Sequence, residues 1–446
     1  MRKVSLFAAG LVLAVASCGS LPSTLVNTHV DGNALMRDLV TLADFSGAVR
    51  VTRQGQMVFE ASAGTIDGAR PFLPETPSDS GSLAKPMMAE IILGLVADGA
   101  LSLDDTVQQW APDYPYPDTL VRELLDHSAA LPDYGAFQAL LDAGNPVTTR
   151  DLLIALAGME WAPTSAGVFS YCNLCYDTLG LVAEAATGKT LPDLFRERIF
   201  EPAAMDGAFL RPARFADWPG VRTRGFRPTP EGPEPFDASD NEGFHGASNI
   251  YLSVRDASAY AEHWAFMKDS EQVRQLALAP GAETGFGYTL GNWSCAPENT
   301  RCHYTGHHQG FDTFAYWDSD AGIAAAFVSN GGLVPFYQTE LARALIALGE
   351  GRPARLAPDE DAQLPEGLSG SFQNEDGARL EVLPREQGVS VRPEGGLTYP
   401  AYPAGIGVLY VPGLDFFLSG SRAGIGPAFT ARSIHNPPKT FQPAEP

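Results

Sequence analysis

Segments with strand character stand at the two ends of a long helical stretch, and this separation is what most constrains the fold. Residues 47–61 alternate apolar and polar side chains around Gly55, a pattern that predicts a β-hairpin. The alternation returns only at 286–293, 313–317 and 323–330. Between them the spacing predicts helices over 120–125, 149–156, 174–186 and 254–267, punctuated by Gly and Pro. One antiparallel sheet can form only if the two distant ends meet, with helices on its faces and a mostly helical insertion between. Further helices are expected over 34–43 and, closing the unit, over 338–348.

The chain has 446 residues, enough for more than one core. Residues 349–364 are rich in Gly, Pro and charge and read as a linker. Beyond them, short alternating runs at 379–383, 388–392, 407–411 and 415–418 predict a small all-β domain over 365–446. A net charge of -23 repels phosphate backbones and argues against a nucleic-acid partner.

Met1-Arg2-Lys3 precedes an apolar run over 4–16 that is too short to span a bilayer, so residues 1–17 read as a secretory signal peptide. Val15-Ala16-Ser17-Cys18 resembles a bacterial lipobox, which implies a lipid anchor on Cys18. Gly19 after it resembles the pattern that sorts lipoproteins to the outer membrane, facing the periplasm of a Gram-negative cell. The mature chain then begins the main domain at 18–348. Four cysteines remain for an oxidising compartment. Cys295 and Cys302 bracket a turn-rich loop and are expected to pair. Cys172 and Cys175 form a C-x-x-C, for which a local disulfide or free buried thiols rank ahead of zinc.

Three short motifs carry the chemistry. Ser82-Leu83-Ala84-Lys85 puts an amine one helical turn from a hydroxyl, because residues three apart share a helix face. Pro86 is tolerated in a first helical turn, so Ser82 is expected at a helix N-terminus, where the dipole favours a developing alkoxide. The helix itself is apolar at Met87, Met88, Ile91, Ile92, Leu95 and Val96. Tyr171-Cys172-Asn173 supplies a phenol for proton exchange and an amide for lysine and a substrate carbonyl. Tyr304-Thr305-Gly306-His307 is expected to lead into the strand at 313–317.

In that order, with residues 124–134 and 246–253, these motifs resemble class C β-lactamases, penicillin-binding proteins, related esterases and D-amino-acid peptidases. The resemblance spans about residues 45–345. It implies an α+β fold of the β-lactamase/transpeptidase type, an antiparallel sheet flanked by helices. It also implies a serine hydrolase working through an acyl-enzyme, with no cofactor and no metal. Ser82 would be the nucleophile, Lys85 and Tyr171 the proton-transfer pair, and Asn173 a ligand of substrate and lysine. Tyr304, Thr305, Gly306 and His307 would form the substrate and oxyanion wall, with the Ser82 and His307 N–H groups as donors.

The third motif departs from the family, where Lys or His opens the triad. Tyr304 offers a neutral phenol in place of a carboxylate-binding cation. Esterase-like turnover is therefore expected ahead of true β-lactam hydrolysis, unless Arg301, His303 or His308 replaces the cation. Two alternatives stay open: a penicillin- or muropeptide-binding lipoprotein with little turnover, and a D-amino-acid peptidase or carboxypeptidase. The expected partner is a small-molecule or peptidoglycan-derived substrate.

Overall fold

The computed structural model describes residues 32–161, 169–227, 232–267, 271–282, 288–333 and 335–356, and eight segments of the C-terminal part between 368 and 444. The signal peptide, Cys18 and residues 357–364 of the linker lie outside the described residues.

The two ends do meet. Strands β1 (Gly47–Arg53) and β2 (Gln56–Ala63) form the expected hairpin. Strands β3 (Ser294–Cys295), β4 (Arg301–His308), β5 (Phe311–Asp318) and β6 (Ile323–Ser329) complete a six-stranded sheet in the order β2-β1-β6-β5-β4-β3. The junction is antiparallel and runs from Gly47 opposite Ser329 to Arg53 opposite Ile323.

Both faces of this sheet are covered, and the side-chain alternation of each strand divides between two cores. Ala315, Trp317, Ala324, Ala326 and Val328 enter one core, together with the helices α2 (Ala84–Ala97), α3 (Asn173–Thr187) and α4 (Val254–Phe266). Phe314, Tyr316, Ile323, Ala325 and Phe327 enter the other, beneath α1 (Gly32–Ala43) and α5 (Pro335–Gly349). That is why β5 and β6 are buried along their whole length. Each large side chain sealed there contributes about 1.5–3 kcal/mol.

Helix α2 is buried from Ala84 to Leu95, so an apolar surface all round marks it as an interior helix. It starts from a single tight turn, Gly81–Leu83, placing Ser82 just ahead of its first residues. Three short strands, Ser78–Asp79, Ile250–Leu252 and Phe209–Leu210, anchor this start from outside the main sheet.

One strand expectation is corrected, and one strand is added. In the described part of 286–293, Tyr288 and Thr289 make only isolated bridges, and the chain then turns through Asn292 with φ 63°. Thr289 accepts the Trp293 N–H through its hydroxyl, so local turn chemistry competes with strand pairing. Tyr304–His307 leads through the turn at Gln309 and Gly310 into the expected strand, β5, but itself lies within a further strand, β4. Its polar composition hides the strand from a hydropathy pattern, because one face of β4 lines a cleft.

The C-terminal part is an antiparallel nine-stranded sheet, as the all-β reading expects, and its order is circular. The first strand, Gly370–Asn374, pairs with the last, Lys439–Pro443. Tyr399–Pro400 and Tyr402–Gly405 stand at the two ends of the sheet order yet are separated only by Ala401. That one run closes the ring, which leaves a barrel with few open edges. Phe372, Val391, Leu418, Phe429 and Phe441 fill it.

Candidate active site

The cleft lies between the start of α2, the start of α3 and the edge of β4. Lys85 is fully buried in an apolar helix, a position an ammonium can hold only if all its donors are used. They are used. Its Nζ donates to Ser82 Oγ at 2.9 Å, Asn173 Oδ1 at 2.8 Å and the Ala247 carbonyl at 3.1 Å. Tyr171 donates its phenol to the same Ser82 Oγ at 2.8 Å, and its ring centroid is 4.8 Å from Lys85 Nζ. The serine hydroxyl thus touches both a cation and a phenol, either of which can exchange a proton with it.

Each partner is held from behind. The Asn173 amide donates its N–H to Asp133 Oδ1 at 2.9 Å, which turns Oδ1 of Asn173 toward the lysine. Asp177 accepts the Ala247 N–H at 3.0 Å and also the phenol of Tyr134. Burial lifts its carboxyl to about 6. The Cys172–Cys175 disulfide closes the first turn of α3 between Tyr171 and Asn173.

His127 is the residue that motif reading left without a role. Its ring stacks on Tyr171 with centroids 4.7 Å apart, and its Nδ1 accepts the Cys172 N–H at 3.0 Å. Burial, and then the nearby Lys85 charge, push its pKa well below the ordinary imidazole range. A neutral ring whose Nδ1 accepts must carry its proton on Nε2. That nitrogen is 3.1 Å from the Asn292 side-chain amide, whose oxygen otherwise has no partner. The amide is therefore best oriented with its oxygen toward His127. The only sequence signal was the stretch 124–134, where His127 sits.

The strand wall meets the nucleophile turn without side chains between. Gly81 has φ +49°, and a Cβ there would stand 2.7 Å from the His307 nitrogen. A Cβ on Gly306 would stand 2.3 Å from the Ser80 carbonyl oxygen. Strand β3 pairs with β4 only at Cys302 and His303, so the edge beyond is left to this turn. The N–H groups of Ser82 and His307 therefore belong to backbones in van der Waals contact, the placement an oxyanion pair requires. Thr305 lies on the same strand opposite Phe314.

Tyr304 is buried, and its hydroxyl is 3.4 Å from that of Tyr171. Burial, followed by Tyr171 and Tyr288, raises its pKa well above the usual phenol value, so it is neutral. The three candidate replacement cations are engaged elsewhere. Arg301 pairs with Glu298, His303 packs near Phe314 on the far face, and His308 is engaged by Asp79. Cys302 is joined to Cys295, as the loop predicts, and is unavailable to a metal. Among the described residues no three His, Cys, Asp or Glu side chains are grouped to hold one.

An S-x-x-K serine at a helix start, bonded to a buried lysine and a tyrosine and set against a strand edge, defines a serine hydrolase of the β-lactamase and penicillin-binding type. The chain belongs to the beta-lactamase family, whose model matches residues 33–350. A D-aminopeptidase of Cereibacter sphaeroides (strain KD131) is 27% identical over 385 residues, covering 81% of this chain and 71% of that protein. A D-aminopeptidase of Brucella canis is 32% identical over 262 residues, 55% of this chain and 48% of the relative. The octameric penicillin-binding protein homologue from Pyrococcus abyssi shares the fold with TM-score 0.60 and 21% identity, over 90% of this chain and 96% of that one.

Proposed function

We propose that the protein hydrolyses amides of N-terminal D-amino acids through an acyl-enzyme on Ser82. The observation that carries the mechanism is the convergence of Lys85 Nζ and Tyr171 OH on one hydroxyl, at 2.9 and 2.8 Å. Ser82 Oγ attacks the carbonyl carbon while the Lys85–Tyr171 pair takes its proton and returns it to the leaving amine. Water then attacks the ester, and the serine recovers the proton as the acid leaves. The Ser82 and His307 N–H groups hold the oxyanion in both steps.

The substrate class rests on two supports. The relatives matched over most of the chain are D-aminopeptidases. The neutral Tyr304 offers no charge for a C-terminal carboxylate, which disfavours carboxypeptidase substrates and β-lactams. An N-terminal aminoacyl amide presents no carboxylate at that position. Esters share this property, and the same phenol supports them as a second reading.

Turnover of D-alanine p-nitroanilide, its L-isomer, p-nitrophenyl acetate and a chromogenic cephalosporin tests the ranking. The D-anilide is expected to lead, and efficient cephalosporin hydrolysis without D-anilide turnover would refute it. A fluorophosphonate adduct is expected on Ser82 by peptide mass, and its absence from the Ser82→Ala variant completes the assignment. Full activity in Ser82→Ala would end the nucleophile reading. The export signal and a lipid anchor at Cys18 belong to the same proposal. Membrane fractionation of Cys18→Ala, expected to release the protein from the membrane, tests them.

A further inference from the structure

We propose that Asp79 and His308 are positioning residues that clamp the two halves of the oxyanion hole together. The inference rests on the oxyanion assignment above. Asp79 is fully buried and splits its carboxylate between the two walls. Its Oδ1 accepts the Gly81 N–H at 2.9 Å, one residue before the nucleophile. Its Oδ2 accepts the His308 Nδ1–H at 2.9 Å, one residue after the second oxyanion donor. A single side chain thereby fixes how far the turn stands from the strand, where contacts at Gly81 and Gly306 leave no slack.

The clamp is charged. His308 Nε2 stands 3.7 Å from Glu242 Oε2, and Glu242 in turn pairs with the buried Arg211 at 3.1 Å. His307 adjoins His308 in sequence, the buried Asp177 of α3 feels the His308 charge, and His245 and Tyr251 lie near Asp79. With His308 protonated, two carboxylates face two cations. Once it loses its proton, its Nδ1–H can still bond Asp79, but the bond is no longer charge-assisted and the two carboxylates repel. Burial alone would lower the imidazole pKa, but Asp79 and then Glu242 outweigh it and raise it. The clamp is therefore strongest with His308 protonated and weakens as pH rises through the imidazole's pKa, which lies above its ordinary value. Weakening it moves a donor in the transition state more than it weakens ground-state binding, so kcat should fall while KM holds.

The experiment is steady-state hydrolysis of D-alanine p-nitroanilide by the full chain across pH, in wild type, Asp79→Asn, His308→Gln and the double variant. At neutral pH each single variant is expected to lose about 10- to 100-fold in kcat with KM within about threefold, short of the loss of a whole oxyanion donor. His308→Gln keeps a donor for Asp79 but cannot titrate, so the midpoint of its alkaline limb should shift. The double variant should be little worse than either single one, as expected of a unit. His263→Gln, which alters a half-buried histidine–carboxylate pair with Glu90 outside the cleft, should leave kcat and the limb unchanged. If Asp79→Asn does not fold, His308→Gln decides alone. Wild-type kcat with an unmoved limb in His308→Gln would overturn the clamp. Activity surviving in Ser82→Ala would instead overturn the reading beneath it.

Discussion

The two walls of the cleft are built on different principles. The helical wall is a polar chain: Asp133 holds Asn173, Asn173 and the Ala247 carbonyl hold Lys85, and Lys85 with Tyr171 holds Ser82. The strand wall is a close backbone contact, allowed by two glycines and bordered by a neutral phenol. On the proposed mechanism the first wall holds the proton-transfer groups, and the second lends an oxyanion donor and borders the substrate. Changes to one should therefore appear in kcat, and changes to the phenol of the other in substrate choice.

The largest effect is expected at Lys85. Lys85→Met removes the proton partner and strands three acceptors, so kcat should fall by about 10³-fold or more with the fold retained by circular dichroism. A Lys85→Met enzyme within tenfold of wild type would remove the distinction between the walls.

The disulfides give a sharper comparison. Each closes a short loop, of sequence separation 3 at Cys172–Cys175 and 7 at Cys295–Cys302, so each should add about 2 kcal/mol of stability in denaturant titrations. Only the first has a cysteine, Cys172, inside the Tyr171–Asn173 motif. Replacing both of its cysteines with serine should lower kcat about tenfold through lost positioning, whereas the same change at Cys295 and Cys302 should cost stability alone. Equal kinetic losses in the two double variants would count against a special role for the helical wall.

On the strand wall, Tyr304→Lys should lower KM for a D-alanyl-D-alanine peptide by about tenfold, since a charge-assisted bond to its carboxylate is worth about 1.5–3 kcal/mol. Unchanged KM would mean that Tyr304 does not border the leaving-group side.

The smallest effect concerns pH. The Asp177 carboxyl titrates at about 6 when folded, against 3.8 for the free side chain. The folded state holds this proton more tightly, so the stability it adds is full below pH 3.8 and is lost as pH rises from there through about 6. The Asp177→Asn variant should show a smaller decline in Tm between pH 4 and pH 7 than wild type. An equal decline in both would place the titration elsewhere.

Much of the helical wall was legible because its logic is local. Ser82 and Lys85 are three residues apart on a helix whose apolar run and Pro86 announce where it starts. The strand wall was legible only as a motif. Tyr304 to His308 carries too little apolar alternation to be read as a strand, and the turn at Asn292 displaced the strand expected just before it. Neither His127 nor Asp133 stood out, since a lone histidine and an acidic loop residue are ordinary in any sequence.

The sequence by itself determined the reacting groups, their order and their spacing within each element, because helical and turn geometry is set by neighbours. Tertiary structure decided which elements meet. Lys85 and Asn173 are 88 residues apart, and Asp79 and His308 are 229 apart. The first joins two helices packed in one core, and the second joins the nucleophile turn to the sheet that the pairing of Gly47 with Ser329 closes. The barrel beyond it closes likewise, through the single run 399–405. Closure is a property of the whole pairing pattern, and no local window contains it.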